Sequence, residues 1–584
     1  MVQLETAGLI TRQEAVSMVP PLFLDVRAEH VVFDMCASPG SKTSQILDDM
    51  HALNPNPTGF IVANELDRKR AYLLAHQITR FVNIASLVTM HDGSLFPTLR
   101  TRLVGGLVQT MFFDRVLADV PCSGEGTIRK NGDVCTKWAP GAAIGFHKLQ
   151  LAIAKRGANQ LAVGGRMVYS TCSLNPLENE AVVAELLRLG NGQLALLDVS
   201  AEVPELLRRP GMKRWPVAGF GQEGYFDKPS DVPADSRTAG ALPSVFCQDD
   251  LESLHIERCM RFYPHLQDTG GFFVAVIVKT SAVAGLAAPL LPALSTPLLA
   301  LDMLQFVQPG RHVREHYTED PLKPVLLRSD VIADLKAAFD LTDDAIAVLQ
   351  YRHPTFAVQP NQKKGGDEAG GDAGDAPGKP KSIFGLTSKL ATLSNCGEIY
   401  STLFAVNAGA KLFELKKARD TKVPTYAILA SAATVLLSIL PPHRIVQITG
   451  MELLQLIDQR STACSMFEQL APANRVQGSI LFKVDQVAGR PTSCPIGFSG
   501  FVRGDRVSIS VEKGDLVVVR QFLAGFEITI DRTKLDVPPR TRDNDDWDNN
   551  DDNDDNDDND NDTAAVADNS AKVARTGAAE DDDE

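Results

Sequence analysis

Between residues 31 and 180 short apolar runs alternate with longer stretches whose apolar residues recur at helical spacing. "HVVFDMC" (30–36) reads as a strand and "SKTSQILDDMHAL" (41–53) as a helix, stopped by the proline-rich turn "NPNPTG". Strand "FIVANE" (60–65) and helix "DRKRAYLLAHQITRF" (67–81) follow, then strands "ASLVTMHDG" (85–93) and "FDRVLADVPC" (113–122). "AIGFHKLQLAIAKRGANQLAVGG" (143–165) predicts a long helix ending at its Gly-Gly, "RMVYSTC" (166–172) a strand, and "GGFFVAVIVK" (270–279) a closing β-rich run. Strand–helix alternation of this kind predicts an α/β fold with a doubly wound, mostly parallel sheet. In such sheets ligands bind beyond the carboxyl ends of the strands. Cys36, Glu65, Asp92, Asp119, Cys122 and Cys172 all stand where a strand stops, which directs them to one crevice.

The texture divides the chain further. Residues 1–30 read as a lead-in helix and 31–282 as the α/β domain. A Pro/Leu-rich connector with a small mixed segment occupies 283–358, and a Gly/Asp/Lys linker unable to bury a core occupies 359–382. From 383 to 535 a smaller, β-rich α+β module is expected: "SILFKVDQ", "CPIGFSGFVRGDRVSISV" and "DLVVVRQFL" as strands, "PTYAILASAATVLLSIL" as its helix. Residues 536–584 read as a disordered acidic tail.

That tail changes the meaning of the charge. Of 73 acids and 58 bases in the 584 residues, 18 acids and 2 bases lie from Asp543 to Glu584. The other 542 residues carry 55 acids and 56 bases, a net of +1, and a near-neutral body can still present a basic patch to nucleic acid. The polyanion itself suits basic proteins. Nine scattered cysteines make no disulfide framework and suit a reducing compartment. None forms a C-x2-C pair, so no metal is expected. The long apolar runs are under 18 residues or broken by proline, so no membrane span is expected.

Candidate chemistry sits at the strand ends. "DMCASPGSKT" (34–43) is a glycine turn between strand and helix, where a phosphate or nucleoside docks. Cys36 and Ser41 stand where a Walker A loop needs glycine, so a P-loop is not expected, and a plain turn is the default for these ten residues alone. "NELD" (64–67) ends the second strand with acids of the kind that accept ribose hydroxyls, and Asp92 suits an adenine contact. "ADVPCSGEGTIR" (118–129) fails as a phosphatase loop, because six residues rather than five separate Cys122 from Arg129. A structural cysteine is the ordinary reading of one such residue. A second, Cys172 in "GGRMVYSTCSLNPLENE", ends another strand, and with Asp119 the two make a nucleophile-plus-acid set. Such a set serves methylation at cytosine C5: a thiolate adds at C6, an acid engages N3, and C5 becomes nucleophilic.

"CASPGSKT", "ADVPCSGEGTIRKN" and "MVYSTCSLNPLENE" resemble the Sun (NSUN) family of S-adenosylmethionine-dependent RNA cytosine-C5 methyltransferases, nearer its eukaryotic tRNA-type branch. The resemblance runs from about Gln13 to Lys279 and resumes weakly in "GSILFKVDQ" and "SCPIGFSGFVRG". It implies a class I, Rossmann-like methyltransferase domain with S-adenosyl-L-methionine as cofactor. Cys36, Ala37, Ser38, Pro39, Gly40, Ser41 and Lys42 would form the cofactor turn, with Glu65 at the ribose, Asp92 at the adenine and Asp119 beside the methyl donor and the cytosine. Cys172 would be the nucleophile, Cys122 the product-release cysteine, Lys42 a group near the reacting base, and Arg129 and Lys130 contacts to the RNA backbone. Ser38 and Glu65 depart from the family's usual Ala and Asp. Members also carry a longer stretch before "RQEAVSMVPPLFL", which makes 1–30 the remnant of a longer amino end or shifts RNA recognition to the 383–535 module. The resemblance implies a monomer acting on tRNA or other structured RNA, in the nucleus or nucleolus with some in the cytoplasm. The alternatives are a catalytically weak RNA-binding or ribonucleoprotein-assembly factor, and a DNA cytosine methyltransferase, which would have no use for Thr171-Cys172.

Overall fold

The computed structural model describes residues 11–280, apart from positions 53, 55, 82, 103–107, 140 and 220–223, and a discontinuous set between 322 and 510. The connector from 283 to 321, the linker from 359 to 379, "DLVVVRQFL" and the acidic tail lie outside the described residues.

The predicted alternation is the central sheet. Strands β1 (Val31–Asp34), β2 (Phe60–Asn64) and β3 (Ser86–Thr89) are buried at every position, as the middle of a parallel sheet covered on both faces requires. Helix α1 (Ser41–Ala52) connects β1 to β2, and α2 (Arg68–Thr79) connects β2 to β3. Asp67 caps α2, accepting from Arg70 N at 2.9 Å. Strand β4 (Phe113–Asp119) leads through α3 (Ala142–Gln160) to β5 (Leu161–Thr171), which is followed by α4 (Glu180–Leu189). Two further strands, β6 (Met260–Phe262) and β7 (Phe272–Lys279), run antiparallel to their partners. With β8 (Ala405–Ala408) the order across the sheet is β8-β3-β2-β1-β4-β5-β7-β6, with the short strand Arg209–Pro210 beyond β6 and Leu194–Leu196 also paired to β7. The β3-β2-β1-β4-β5 core is parallel, with the chain reversing direction of travel at β1 and β4. That reversal opens the crevice between their carboxyl ends. A reversed strand inserted beside β5 completes the class I methyltransferase pattern.

Several expectations change. The Gly164-Gly165 pair does not stop α3, which ends at Gln160. Leu161 pairs with Phe113 and Arg166 with Arg115, so the glycines form a bulge inside β5, Gly164 at φ +80°. Among the described residues of the lead-in there are two short helical turns, Ala15–Met18 and Val19–Leu22, rather than one helix, because Pro20 and Pro21 remove two amide donors. Val16, Val19 and Phe23 still bury themselves in the main core. The run at 424–440 is strand Pro424–Ile428 followed by short turns, not a single helix.

Segments on either side of the linker share one sheet: Leu322–Pro324 and Leu349–Arg352 pair into the strands Ser382–Gly385 and Ala410–Lys417. A second core of Val331, Leu335, Phe339, Phe413 and Leu436 lies behind it. β8 then returns to the central sheet, pairing Ala405 with Thr89 and Ala408 with Leu87. Among the described residues no helix is long and apolar enough to cross a membrane.

Candidate active site

The turn after β1 is pinned to both neighbouring strands: Met35 N donates to Leu117 O (3.0 Å) and Ala37 N to Asn64 O (2.8 Å). Ser38 and Arg70 staple it to α2, Ser38 Oγ donating to Arg70 O (3.1 Å) and Arg70 Nη2 to Ser38 O (2.9 Å). After the cis Ser38–Pro39 peptide, Gly40 turns at φ +108°, where a Cβ would stand 3.0 Å from Leu74 Cδ1. Ser41 O accepts from Gln13 Nε2 (3.0 Å), so the lead-in segment also supports the turn. The Cys36 thiol is pushed up by burial and then by the charges of Asp34, Glu65 and Asp119, which keeps its proton on.

The acids at the strand ends are placed as follows. Glu65 is buried; its Oε1 accepts from Leu66 N (2.9 Å) and Asp67 N (3.1 Å), while Oε2 lies 3.3 Å from Arg70. Asp92 Oδ1 accepts from Ser94 N (2.8 Å) and Ser94 Oγ (2.7 Å). Asp34 is fully buried, receives Thr43 Oγ1 on Oδ2 (2.7 Å), and leaves Oδ1 without a well-formed hydrogen bond among the described residues. Burial lifts its carboxyl to about 7, against the Thr43 hydrogen bond.

Beyond β4 and β5 lies a second cluster. Asp119 takes Ser170 Oγ on Oδ1 (2.8 Å) and Lys42 Nζ on Oδ2 (2.7 Å). Burial alone would lower the Lys42 ammonium, but the charge and hydrogen bond of Asp119, with Asp34 behind, outweigh it and raise it. Lys42 also sits 5.2 Å from the centre of the Phe272 ring. Cys122 Sγ and Cys172 Sγ approach to 3.2 Å. The Cys122 thiol is held well above its ordinary range, first by its hydrogen bond to Cys172, then by burial and by the Cys172 charge. Cys122 therefore keeps its proton, and its sulfur faces that of Cys172 within hydrogen-bonding reach. Gly126 closes the two loops on each other: its N–H donates to Cys172 O (2.8 Å), and a Cβ there would fall 2.6 Å from that oxygen.

The sequence-predicted residues from Cys36 to Lys42, together with Glu65, Asp92, Asp119, Cys122 and Cys172, thus line the carboxyl edge of one sheet. Arg129 stands apart. Its guanidinium reaches the loop before β7, pairing with Asp268 (2.8 Å) and donating to Thr269 O (3.0 Å), while Lys130 is exposed. Sequence reasoning missed Asn64, which bridges Met35 O (3.1 Å) and His91 O (2.9 Å) and accepts from His91 N (3.0 Å). It missed Glu125 and Glu178 too, which link the cysteine loops. The available signal was a serine directly after each cysteine and an acid within six residues.

The family model "16S rRNA methyltransferase RsmB/F" matches residues 21–226. A tRNA (cytosine(49)-C(5))-methyltransferase of Pyrococcus abyssi is 38% identical over 272 residues, covering 47% of this chain and 71% of the relative. The chain belongs to the RsmB/F methyltransferase family. A tRNA (cytosine(34)-C(5))-methyltransferase of Drosophila melanogaster is 47% identical over 279 residues, 47% of this chain but 37% of that protein. The chain spans about two fifths of the length of the eukaryotic relatives it matches. A solved methyltransferase homologue from Pyrococcus horikoshii shares 27% identity over 47% of this chain and 69% of its own, with a TM-score of 0.32. The matched residues 21–226 include Cys36 to Lys42, Glu65, Asp92, Asp119, Cys122 and Cys172.

Proposed function

We propose that this chain methylates C5 of cytosine in RNA, with tRNA as substrate and S-adenosyl-L-methionine as methyl donor. The observation that carries the reading is the Cys122–Cys172 contact of 3.2 Å beside the Lys42–Asp119 pair at 2.7 Å. A structural thiol pair has no use for a half-buried ammonium and carboxylate at its side.

The residues present fit the donor. A backbone turn that excludes a Cβ at Gly40, acids at the ends of β2 and β3 and an under-bonded Asp34 oxygen suit a nucleoside with a cationic centre. Glu65 would hold the ribose, Asp92 the adenine end, and residues 36–42 the remainder. When bound, S-adenosyl-L-methionine supplies a methyl group on a sulfonium centre.

The chain's own groups do the rest. The target base leaves its stack to reach the crevice. Cys172 sulfur bonds to C6, and the C5=C6 electron pair moves into the ring while the Lys42–Asp119 pair hydrogen-bonds at N3. C5 then takes the methyl group. Once Cys172 is bonded to carbon it no longer meets Cys122 as a thiolate, so both the hydrogen bond that is the largest cause holding the Cys122 proton and the smaller effect of the Cys172 charge are lost. Cys122 can then give that proton to solvent at the mouth of the crevice and, as thiolate, take the C5 proton. The C6–sulfur bond breaks, C5=C6 re-forms and Cys172 leaves as thiolate. Lys130, with Arg129 behind it, would meet phosphates at the mouth.

The test is to incubate wild type, Cys122→Ala and Cys172→Ala with donor and tRNA and to run denaturing gels. Cys122→Ala should trap a covalent RNA adduct, Cys172→Ala should give none, and Cys172→Ala should lose methylation by on the order of 10³-fold or more. Methylation by Cys172→Ala would overturn the assignment of the nucleophile.

A further inference from the structure

Each cysteine of the pair is followed by a serine, and both serines enter one partly buried cluster with Glu125 and Glu178. Ser173 Oγ lies 2.7 Å from Glu125 Oε1 and 3.0 Å from Glu178 Oε1, and accepts from Asn175 N (3.0 Å). Ser123 Oγ lies 2.5 Å from Glu125 Oε2 and closer still to Glu178 Oε1. The other Glu178 oxygen already accepts two N–H groups, from Ser123 N and Gln150 Nε2, both at 2.9 Å. Glu125 Oε1 also takes Leu174 N (2.7 Å).

Protons are short in this cluster. Ser173 spends its hydroxyl proton on its nearest acceptor, Glu125 Oε1. Ser123 has one proton and touches an oxygen of each carboxyl group, so one of those two contacts needs a proton from the acid side. We propose that Glu178 carries that proton and shares it through Ser123 with Glu125, and that this acid pair holds the two cysteine loops at reacting distance. Glu178 is fully buried, whereas the Glu125 side is half-buried, so the neutral form belongs on Glu178. Burial pushes the Glu178 carboxyl up in agreement, against the hydrogen bonds from Ser123 and Gln150. Without the proton two like charges would meet across one hydroxyl, and the loops carrying Cys122 and Cys172 would be driven apart. Glu178 and Glu125 are positioning residues: they act on the reaction through the serines adjacent to the cysteines.

The catalytic meaning of that spacing rests on the proposed methyl transfer; the spacing itself does not. The full chain is therefore compared as wild type, Glu178→Gln and Glu178→Ala with three readouts. A glutamine amide reproduces the protonated acid, its NH₂ facing the two serine oxygens and its carbonyl the two N–H donors. An infrared difference spectrum at neutral pH between wild type and Glu178→Gln should show a protonated-carboxyl C=O band belonging to wild type. Diamide, which takes two electrons and two protons as the two thiols become a disulfide, should join Cys122 to Cys172 at similar rates in wild type and Glu178→Gln. In Glu178→Ala the joining should slow by at least about tenfold, with methylation kcat falling alongside and KM for tRNA held. Absence of the band, or oxidation of Glu178→Ala as fast as wild type, overturns the proposal. If Glu178→Ala fails to fold, the band and the Glu178→Gln oxidation rate still decide it. If wild type shows no methylation while band and oxidation rates behave as stated, the reading of function fails and the acid pair stands.

Discussion

At the β1–β2–β3 end of the crevice, Glu65 is held by the amides of residues 66 and 67 and Asp92 by Ser94. At the β4–β5 end, Asp119 is held by Ser170, Cys122 by Cys172 and Ser123 by Glu178, partners 50 to 55 positions away. The acids of the donor end are held by local turns, each of which forms once its own strand and helix are in place, while the 36–42 turn between them is pinned to β2, β4 and α2. The base end exists only when β4, β5 and the start of α4 are in register. Damage to the sheet should therefore reach methyl acceptance before it reaches donor binding.

Three changes test that division. Lys42→Met strikes the base end and should lower kcat by about 10²–10⁴-fold, the range expected for loss of a positioned acid–base group, measured by methyl incorporation at saturating donor. A rise in the donor's KM with kcat intact would move Lys42 to the other end and break the comparison. Glu65→Ala strikes the donor end and should raise KM for the methyl donor by about tenfold, with a smaller fall in kcat, because charge-assisted hydrogen bonds to the ribose are lost. Equal falls in kcat at saturating donor would show that the ends are not separable.

The last change concerns Asp34, which belongs to neither end alone and is read in stability rather than in turnover. Its folded value of about 7 lies above the ordinary carboxyl value of 3.8, so the folded chain holds this proton more tightly than the unfolded one. Its stabilising effect is whole below about pH 4 and is lost as pH rises to about 7, a difference on the order of a few kcal/mol. Asp34→Asn, without donor, should therefore gain melting temperature relative to wild type between pH 5 and pH 8. An equal difference at both pH values would show that the carboxyl is ionised throughout.

The strand ends of the parallel core were legible because four-residue apolar runs ending in a polar residue fit few other structures. So were Cys122 and Cys172, since two cysteines that end strands of one sheet must share its carboxyl edge. What escaped was non-local. The glycine pair at 164–165 reads as a helix stop until β4 is there to pair across it and make it a bulge. Glu125 and Glu178 look like ordinary loop and helix-start acids, and only the folded sheet brings them to the same two serines. Arg129 reads as a free cation because Asp268, its partner, lies far along the chain. The 424–440 run is apolar enough for a helix, yet its first residues are recruited by the edge of Ala410–Lys417.

The strand Ala405–Ala408 has a consequence for anyone who would cut the chain at its linker. Without it, Ser86–Thr89 would become the outer margin of the sheet, offering a row of free N–H and C=O groups along residues that are buried in the whole chain. Such a margin is a template for another copy. The distal segment thus works as a built-in guard against self-association, and a fragment ending near residue 282 should pay for its smaller size in clumping rather than in loss of the crevice.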